Sequence, residues 1–174
     1  MAELLARLYP KAYVSSLTDI SPAYFREKGI KGLILDLDNT IIPWKAGIIA
    51  PEMIELIKRY RESGLGLCVV SNALNNRVVD LLGPLGIPSV ARARKPLRRP
   101  FIKAQDILGT TTRETAVVGD QLFTDILGGN RLGFYTVLVR PISKKEFIGT
   151  RLVRLVEKLL LNRLVKKGII DSPQ

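Results

Sequence analysis

The stretch LILDLDNT, Leu33 to Thr40, is an apolar run that stops in two aspartates set two residues apart, Asp36 and Asp38, followed by Asn39-Thr40. An unbroken apolar run of this kind reads as a strand covered on both faces of a sheet. Residues two apart in a strand point the same way, so both carboxylates are expected to leave the strand tip on one side. A buried strand ending in acid needs partners for that charge, because an unpaired buried carboxylate is costly. A solvated turn or a helix N-cap uses the same residue types, and this segment alone leaves those readings open.

Working outward, the same event recurs. GLCVV ends in Ser71-Asn72, a short strand near Pro88–Ala91 runs into ARARKP with Lys95, and Thr115–Val118 ends in GDQLFTD with Asp120 and Asp125. Helical patterns alternate with these strands: PEMIELIKRYRE with Pro51 at its start and Gly64 as its stop, Asn75–Leu82 closed by Gly83-Pro84, and Phe101–Leu108 stopped by Gly109. Another runs through Ile126, Phe134–Val139 is the final strand, and the tail from Lys144 to Lys167 is one helical pattern. Strand-then-helix repetition predicts an α/β fold, a Rossmann-like three-layer sandwich with a mostly parallel sheet of about five strands. The 174 residues fit one domain, with residues 1–30 as a leading segment and 144–168 as a C-terminal amphipathic helix. Ligands in such sheets bind outside the carboxyl ends of the strands, so the four polar clusters are expected to converge in space.

Composition narrows the chemistry. The chain has no histidine, which excludes a Ser-His-Asp triad and histidine-rich zinc sites. Its single cysteine, Cys68, sits within an apolar run and reads as a buried structural thiol. Metal chemistry is left to carboxylate oxygen, which favours Mg²⁺. No stretch approaches bilayer-spanning length, and the N-terminus lacks a signal peptide's long apolar region, so the expected location is cytoplasmic. With 27 Lys and Arg against 16 Asp and Glu, the net charge of +11 points to anionic partners: nucleic acid, anionic membrane or phosphorylated ligand.

The residue types at the strand ends suit phosphoryl transfer, which needs a carboxylate nucleophile, a second carboxylate as acid and base, and donors for the phosphoryl oxygens. In order along the chain, DLDNT, VVSN, the lysine of ARARKP and GDQLFTD resemble the four motifs of the haloacid dehalogenase-like superfamily of phosphohydrolases. That resemblance implies Asp36 as nucleophile and metal ligand. It implies Asp38 as general acid and base, with its backbone carbonyl on the metal. Ser71 and the Asn72 backbone would hold the phosphoryl group, and Lys95 would neutralise nucleophile and phosphate. Asp120 would ligate Mg²⁺, with Asp125 as ligand or support, and Thr40 would stabilise the turn.

No cap domain fits. Asp38 to Ser71 leaves room for a short flap, Ile41–Ala50, and one helix, and Ser71 to Lys95 for one helix and a strand. Over roughly residues 5 to 165, the lead-in GIKGLILDLDNT, the ARKP motif and GDQLFTDI are similar to the YqeG-type subclass IIIA proteins. That family includes phosphatidylglycerophosphate phosphatases, which implies a lipid headgroup as the phosphorylated partner. The tail fits peripheral membrane contact: Ile148, Leu152, Leu155, Val156 and Leu159 form an apolar stripe flanked by Arg151, Arg154 and Lys158, with Lys166-Lys167 after them. Leu4, Leu5 and Leu8 are similarly apolar, and a tail helix packed on the sheet is the alternative reading. The basic run Arg92, Arg94, Lys95, Arg98, Arg99 and Lys103 is expected beside the cleft, with Trp44 in the flap. Two rival functions are a phosphatase of a soluble sugar or nucleotide phosphate, and a nucleic-acid or ribosome-associated binding module on the same scaffold. No aromatic RNA-reading motif supports the latter.

Overall fold

The computed structural model describes residues 5–143, 148–171 and 173, with the backbone alone at 148–152. Its centre is a six-stranded sheet, and every pairing is parallel. In chain order the strands are β1 (Ala12–Val14), β2 (Gly32–Leu35), β3 (Gly66–Val70), β4 (Ser89–Val90), β5 (Thr115–Gly119) and β6 (Tyr135–Val139). The helices are α1 (Pro22–Glu27), α2 (Pro51–Glu62), α3 (Asn75–Leu82), α4 (Arg98–Leu108), α5 (Leu127–Asn130) and α6 (Ile148–Lys166). The three-layer architecture is the expected one, with one strand more than the five counted from sequence. The extra strand is β1, three half-buried residues paired with β6 at the sheet edge. Three residues are too few to display a period of two, and pairing alone makes them a strand.

Side-chain alternation builds the layers. Leu33, Leu35, Leu67, Val69, Ala116, Val118, Val137 and Val139 face a core with Phe25, Met53, Leu56, Ile57, Tyr60, Val78 and Leu82, which come from α1, α2 and α3. Ile34, Cys68, Val70 and Val117 face the other way, onto Phe101 and Ala104 of α4. Cys68 is fully buried, and that burial pushes its thiol up to about 12, as a structural cysteine requires. Gly64 and Gly109 end α2 and α4 in left-handed backbone, φ +85° and +63°.

Strand order β1-β6-β5-β2-β3-β4 puts the reversal of winding order between β2 and β5. From β2 the chain winds outward through β3 and β4, then returns to β5 on β2's other side. The crevice beyond the carboxyl ends of β2 and β5 is where this topology places a ligand.

The tail helix docks, but the described members of the stripe read from sequence do not carry the docking. Leu160 and Leu161 pack on Leu122, Ile126 and Leu138, and Glu157 and Leu164 are buried. Leu155, Val156 and Leu159 are exposed instead, at 57%, 48% and 62%. The stripe members Ile148, Leu152 and flanking Arg151 have side chains outside the described residues, as do Leu4 and the helix start at 144–147. Among the described residues no helix is long and apolar enough to cross a membrane.

Candidate active site

Strand β2 ends at Leu35, so Asp36 is the first residue past it, anchored by its N–H to the Val118 carbonyl of β5 at 2.9 Å. Asp38 therefore lies on the loop, and the expectation that strand alternation orients both carboxylates is corrected. The chain turns at Asn39, whose φ of +64° is left-handed, a conformation asparagine tolerates better than most residues. The Asn39 side-chain oxygen accepts the Trp44 N–H at 3.2 Å and ties down the flap. Thr40 is buried, but its hydroxyl has no hydrogen-bond partner; whatever it contributes to the turn comes through packing.

At the centre is Lys95. Its Nζ donates to Asp36 Oδ1 at 2.5 Å and to Asp125 Oδ1 at 2.6 Å, with all three side chains buried. The Lys95 N–H donates to the Asn72 side-chain oxygen at 2.8 Å, so Asn72 fixes the lysine's backbone as well as following Ser71. Ser71 is buried, and its Oγ accepts the Ala73 N–H at 3.1 Å. Asp125 is held by the Gln121 N–H on Oδ2 at 3.2 Å, inside a single π-turn over Leu122–Ile126. Such turns recur at functional sites.

Asp36, Asp120 and Asp125 offer carboxylate oxygens within 4.8 Å of one another, all buried. Burial pushes Asp36 up to about 6, with Lys95 pulling it down and Asp125 pushing it further up. Asp120 is raised well above the ordinary range by burial and by Asp36, against the pull of Arg154. Burial alone would lower the Lys95 ammonium, but Asp125 and Asp36 outweigh it and raise its pKa. Asp120 Oδ1 is buried with no hydrogen-bond partner. Three desolvated carboxylates with an unsatisfied oxygen fit a hard divalent cation with oxygen ligands.

Sequence reasoning missed two arginines and an acid that close the site. Arg77 of α3 donates through Nη1 to Asp38 Oδ2 at 2.9 Å; its Nη2 lies 2.8 Å from Oδ1 without hydrogen-bond alignment. The same Nη2 donates to the Ala46 carbonyl at 3.3 Å, clipping the flap to α3. Arg154 of α6, read from sequence as a surface cation, pairs with the Asp120 carboxylate and backbone carbonyl, and with Glu157 at 3.3 Å. Glu157 in turn accepts the Phe123 N–H at 3.0 Å. It is the one acid in α6, and that isolation was the available signal. Nothing in NNRVVDLL marks Arg77 beyond its being the helix's sole cation.

Gly119 is fixed by Asp125. A Cβ at this position would lie 2.3 Å from Asp125 Cγ, so the carboxylate occupies the space a side chain would fill. Gly119→Ala is expected to push Asp125 off Lys95, costing about 1–3 kcal/mol as overpacking does. Urea denaturation reads this directly; a variant as stable as the parent would mean that Asp125 has room to move.

A cleft of about 970 Å³ opens over Asp36, Asp38, Ser71, Asn72 and Lys95. The apolar side chains of Trp44, Leu74, Phe123 and Val153 line the same space. Of the basic run, Lys95 alone is buried, while Arg92, Arg94, Arg98 and Arg99 are exposed.

Comparison with known proteins agrees with this arrangement. Residues 4–80 match the family described as mitochondrial PGP phosphatase, and residues 92–141 match the HAD-hydrolase-like family. The probable phosphatase YqeG of Bacillus subtilis is 38% identical over 162 residues, covering 93% of this chain and 94% of that protein. This chain is a YqeG-type member of the haloacid dehalogenase-like superfamily. It is a phosphatase by that membership. The chloroplastic/mitochondrial phosphatidylglycerophosphate phosphatase 1 of Arabidopsis thaliana is 34% identical over 174 residues, covering 92% of this chain but only 49% of that protein. Among solved structures, a subfamily IIIA hydrolase from Legionella pneumophila superposes with a TM-score of 0.51 at 19% identity, covering 93% of this chain and 88% of that one, a likeness of fold.

Proposed function

We propose that the protein is a Mg²⁺-dependent phosphomonoesterase working through an aspartyl-phosphate, and that it dephosphorylates phosphatidylglycerophosphate. The observation that carries the chemistry is Lys95 Nζ bridging Asp36 and Asp125 at 2.5 and 2.6 Å beside Asp120. An ammonium there keeps Asp36 ionised as a nucleophile. An Asp36 oxygen attacks phosphorus as the ester bond breaks, and Asp38 gives the departing alkoxide its proton. Asp38 then takes a proton from water, which attacks the phosphoryl group, releases inorganic phosphate and regenerates Asp36. Ser71 Oγ, the Asn72 N–H and Lys95 are the donors for the phosphoryl oxygens. Asp36, Asp120, Asp125 and the Asp38 carbonyl would hold Mg²⁺, which supplies charge neutralisation between an anionic nucleophile and an anionic ester.

The substrate reading is supported by the phosphatidylglycerophosphate phosphatases among the relatives and by an open, partly apolar cleft. The exposed Leu155, Val156 and Leu159 of α6, with Lys158, Arg163 and Lys166 exposed beside them, favour contact with an anionic lipid surface. Phosphate release from phosphatidylglycerophosphate in mixed micelles, with Mg²⁺ and with EDTA, beside soluble phosphomonoesters, tests the reading. Mg²⁺-dependent preference for the lipid is expected; turnover confined to soluble esters would remove the lipid and keep the chemistry.

Metal binding has a pH signature. The Asp36 pKa is raised from 3.8 to about 6, so its stabilising contribution to the metal-free fold is full below the unfolded value and lost as pH rises through 6. A cation bound by the ionised carboxylates offsets that loss. At a hundredfold excess over Kd, Mg²⁺ is expected to add about 2.7 kcal/mol, roughly 5–11 °C in Tm, at about pH 8. The increment should shrink below about pH 6, and one that stays constant between about pH 5 and pH 8 would exclude Asp36 as a ligand.

A further inference from the structure

Next to the catalytic cleft, and sharing Lys45, Leu74 and Arg77 with it, is a second cavity of about 480 Å³. Its charged lining is Lys45, Arg77 and Arg92 against the one carboxylate of Asp80. The three cations come from three separate segments: the flap after β2, helix α3 and the loop after β4. Their convergence is therefore a product of the fold and not of one basic run. It leaves a net positive pocket contiguous with the space where a phosphoryl group would sit, which is an environment for a second anion.

Backbone geometry points the same way independently of charge. Lys45 and Arg92 both adopt left-handed backbone, φ +60° and +47°, as does Arg94 just outside the cavity lining at +53°, although none is glycine or asparagine. Long side chains seldom take this conformation, and where they do it clusters at ligand-binding sites. The surrounding contacts hold it in place. The Arg92 N–H donates to the Ala73 carbonyl at 3.0 Å, and Lys45 Nζ lies 4.6 Å from the centre of the Trp44 ring. Arg77 is anchored between Asp38 and the Ala46 carbonyl, at the boundary of the two cavities.

We propose that this cavity is an anion subsite for a phosphate of the substrate other than the one hydrolysed. It selects phosphomonoesters that carry a second phosphate a few bonds away. The inference rests on the phosphatase reading above. If the substrate is a phosphatidylglycerophosphate, the second anion is the phosphodiester linking headgroup to diacylglycerol; in a soluble substrate it is a second monoester. No bond is made or broken in the subsite. Arg77 is a positioning residue there, because it touches both the Asp38 carboxylate and the cavity.

The test compares kcat/KM, with Mg²⁺ present, for three soluble esters: glycerol 3-phosphate, propane-1,3-diol bisphosphate, and deacylated phosphatidylglycerophosphate. Wild type is expected to prefer an ester with two phosphates over glycerol 3-phosphate by about 10- to 100-fold, the worth of one charge-assisted hydrogen bond or more. Arg92→Ala and Lys45→Ala, both at exposed side chains, should each cut that ratio about tenfold. A wild-type ratio near one, or a ratio that neither variant moves, overturns the inference. Preference for the deacylated headgroup over the bisphosphate assigns the phosphodiester as the ligand, and the reverse order assigns a soluble bisphosphate. Calorimetric binding of glycerophosphoglycerol, which has only the diester, reads the subsite without turnover. If no ester is hydrolysed but this ligand binds wild type and not Arg92→Ala, the subsite stands and the phosphatase reading falls. If it does not bind and no ester is hydrolysed, both fall.

Discussion

Asp36→Asn is expected to lower phosphate release by roughly 10⁴-fold or more, the scale on which covalent hydrolases depend on their nucleophile. An amide of the same shape cannot form the acyl-phosphate. The substitution also separates chemistry from folding. Lys95 keeps Asp125 at 2.6 Å, so its charge is not left alone. Burial is the main cause of the raised Asp36 pKa, which means that ionising this carboxylate works against the metal-free fold near neutral pH. In EDTA the variant should therefore melt at the same temperature as wild type or a few degrees higher. Its response to Mg²⁺ should be smaller, because one of three converging carboxylates is gone. Loss of activity with this stability pattern identifies a nucleophile. Loss of activity with a collapsed Tm would identify a structural ion pair, and residual turnover near wild type would reject the mechanism.

Much of this site was legible in the sequence because each motif sits at a strand end, where local pattern and topology agree. Apolar runs specify strands, the turn residues specify where they stop, and parallel order brings the stops together. Asp36, Ser71, Lys95, Asp120 and Asp125 were all located this way, and Asn75–Leu82 and the start of α2 at Pro51 were read to the residue. What could not be read depends on which face of a helix meets which loop. Arg154 and Glu157 lie three apart on α6, and sequence puts Arg154 on the basic flank of the stripe and singles out nothing at Glu157. Yet the helix turns that flank inward, because Glu157 caps the Phe123 N–H of the π-turn and Arg154 reaches Asp120. The apolar stripe that periodicity offered either to a membrane or to the sheet is exposed at Leu155 and Leu159. A hydrophobic pattern finds the cheaper face to bury only when no buried polar partner competes. Here two specific polar contacts set the rotation of the helix. Arg77 was invisible for the same reason: its role comes from where the flap carries Asp38 and Ala46, not from α3.

Lys95→Met is expected to destabilise the metal-free protein by about 3–5 kcal/mol, the cost of removing one partner from a buried charge network. Methionine is close to lysine in length and volume, so the effect isolates charge from packing. Asp36, Asp120 and Asp125 would then share a buried space with, among the described residues, the Arg154 guanidinium as the remaining cation paired with them. Two consequences distinguish this from general damage. Adding Asp125→Asn should recover most of the loss, since the two carboxylates that Lys95 bridges would no longer both need it. Mg²⁺ should raise Tm more in Lys95→Met than in wild type, because a cation among the carboxylates replaces part of the missing charge. Activity should stay down by about 10²–10³-fold even when metal restores stability, as removal of a donor to developing phosphoryl charge predicts. Equilibrium unfolding in EDTA and in Mg²⁺, with phosphate release measured on the same samples, reads all of these. If Lys95→Met is as stable as wild type without metal, the buried ammonium is not holding the acidic cluster together. Activity that returns with stability would make Lys95 a structural cation and leave the phosphoryl oxygens to Ser71 and the Asn72 backbone.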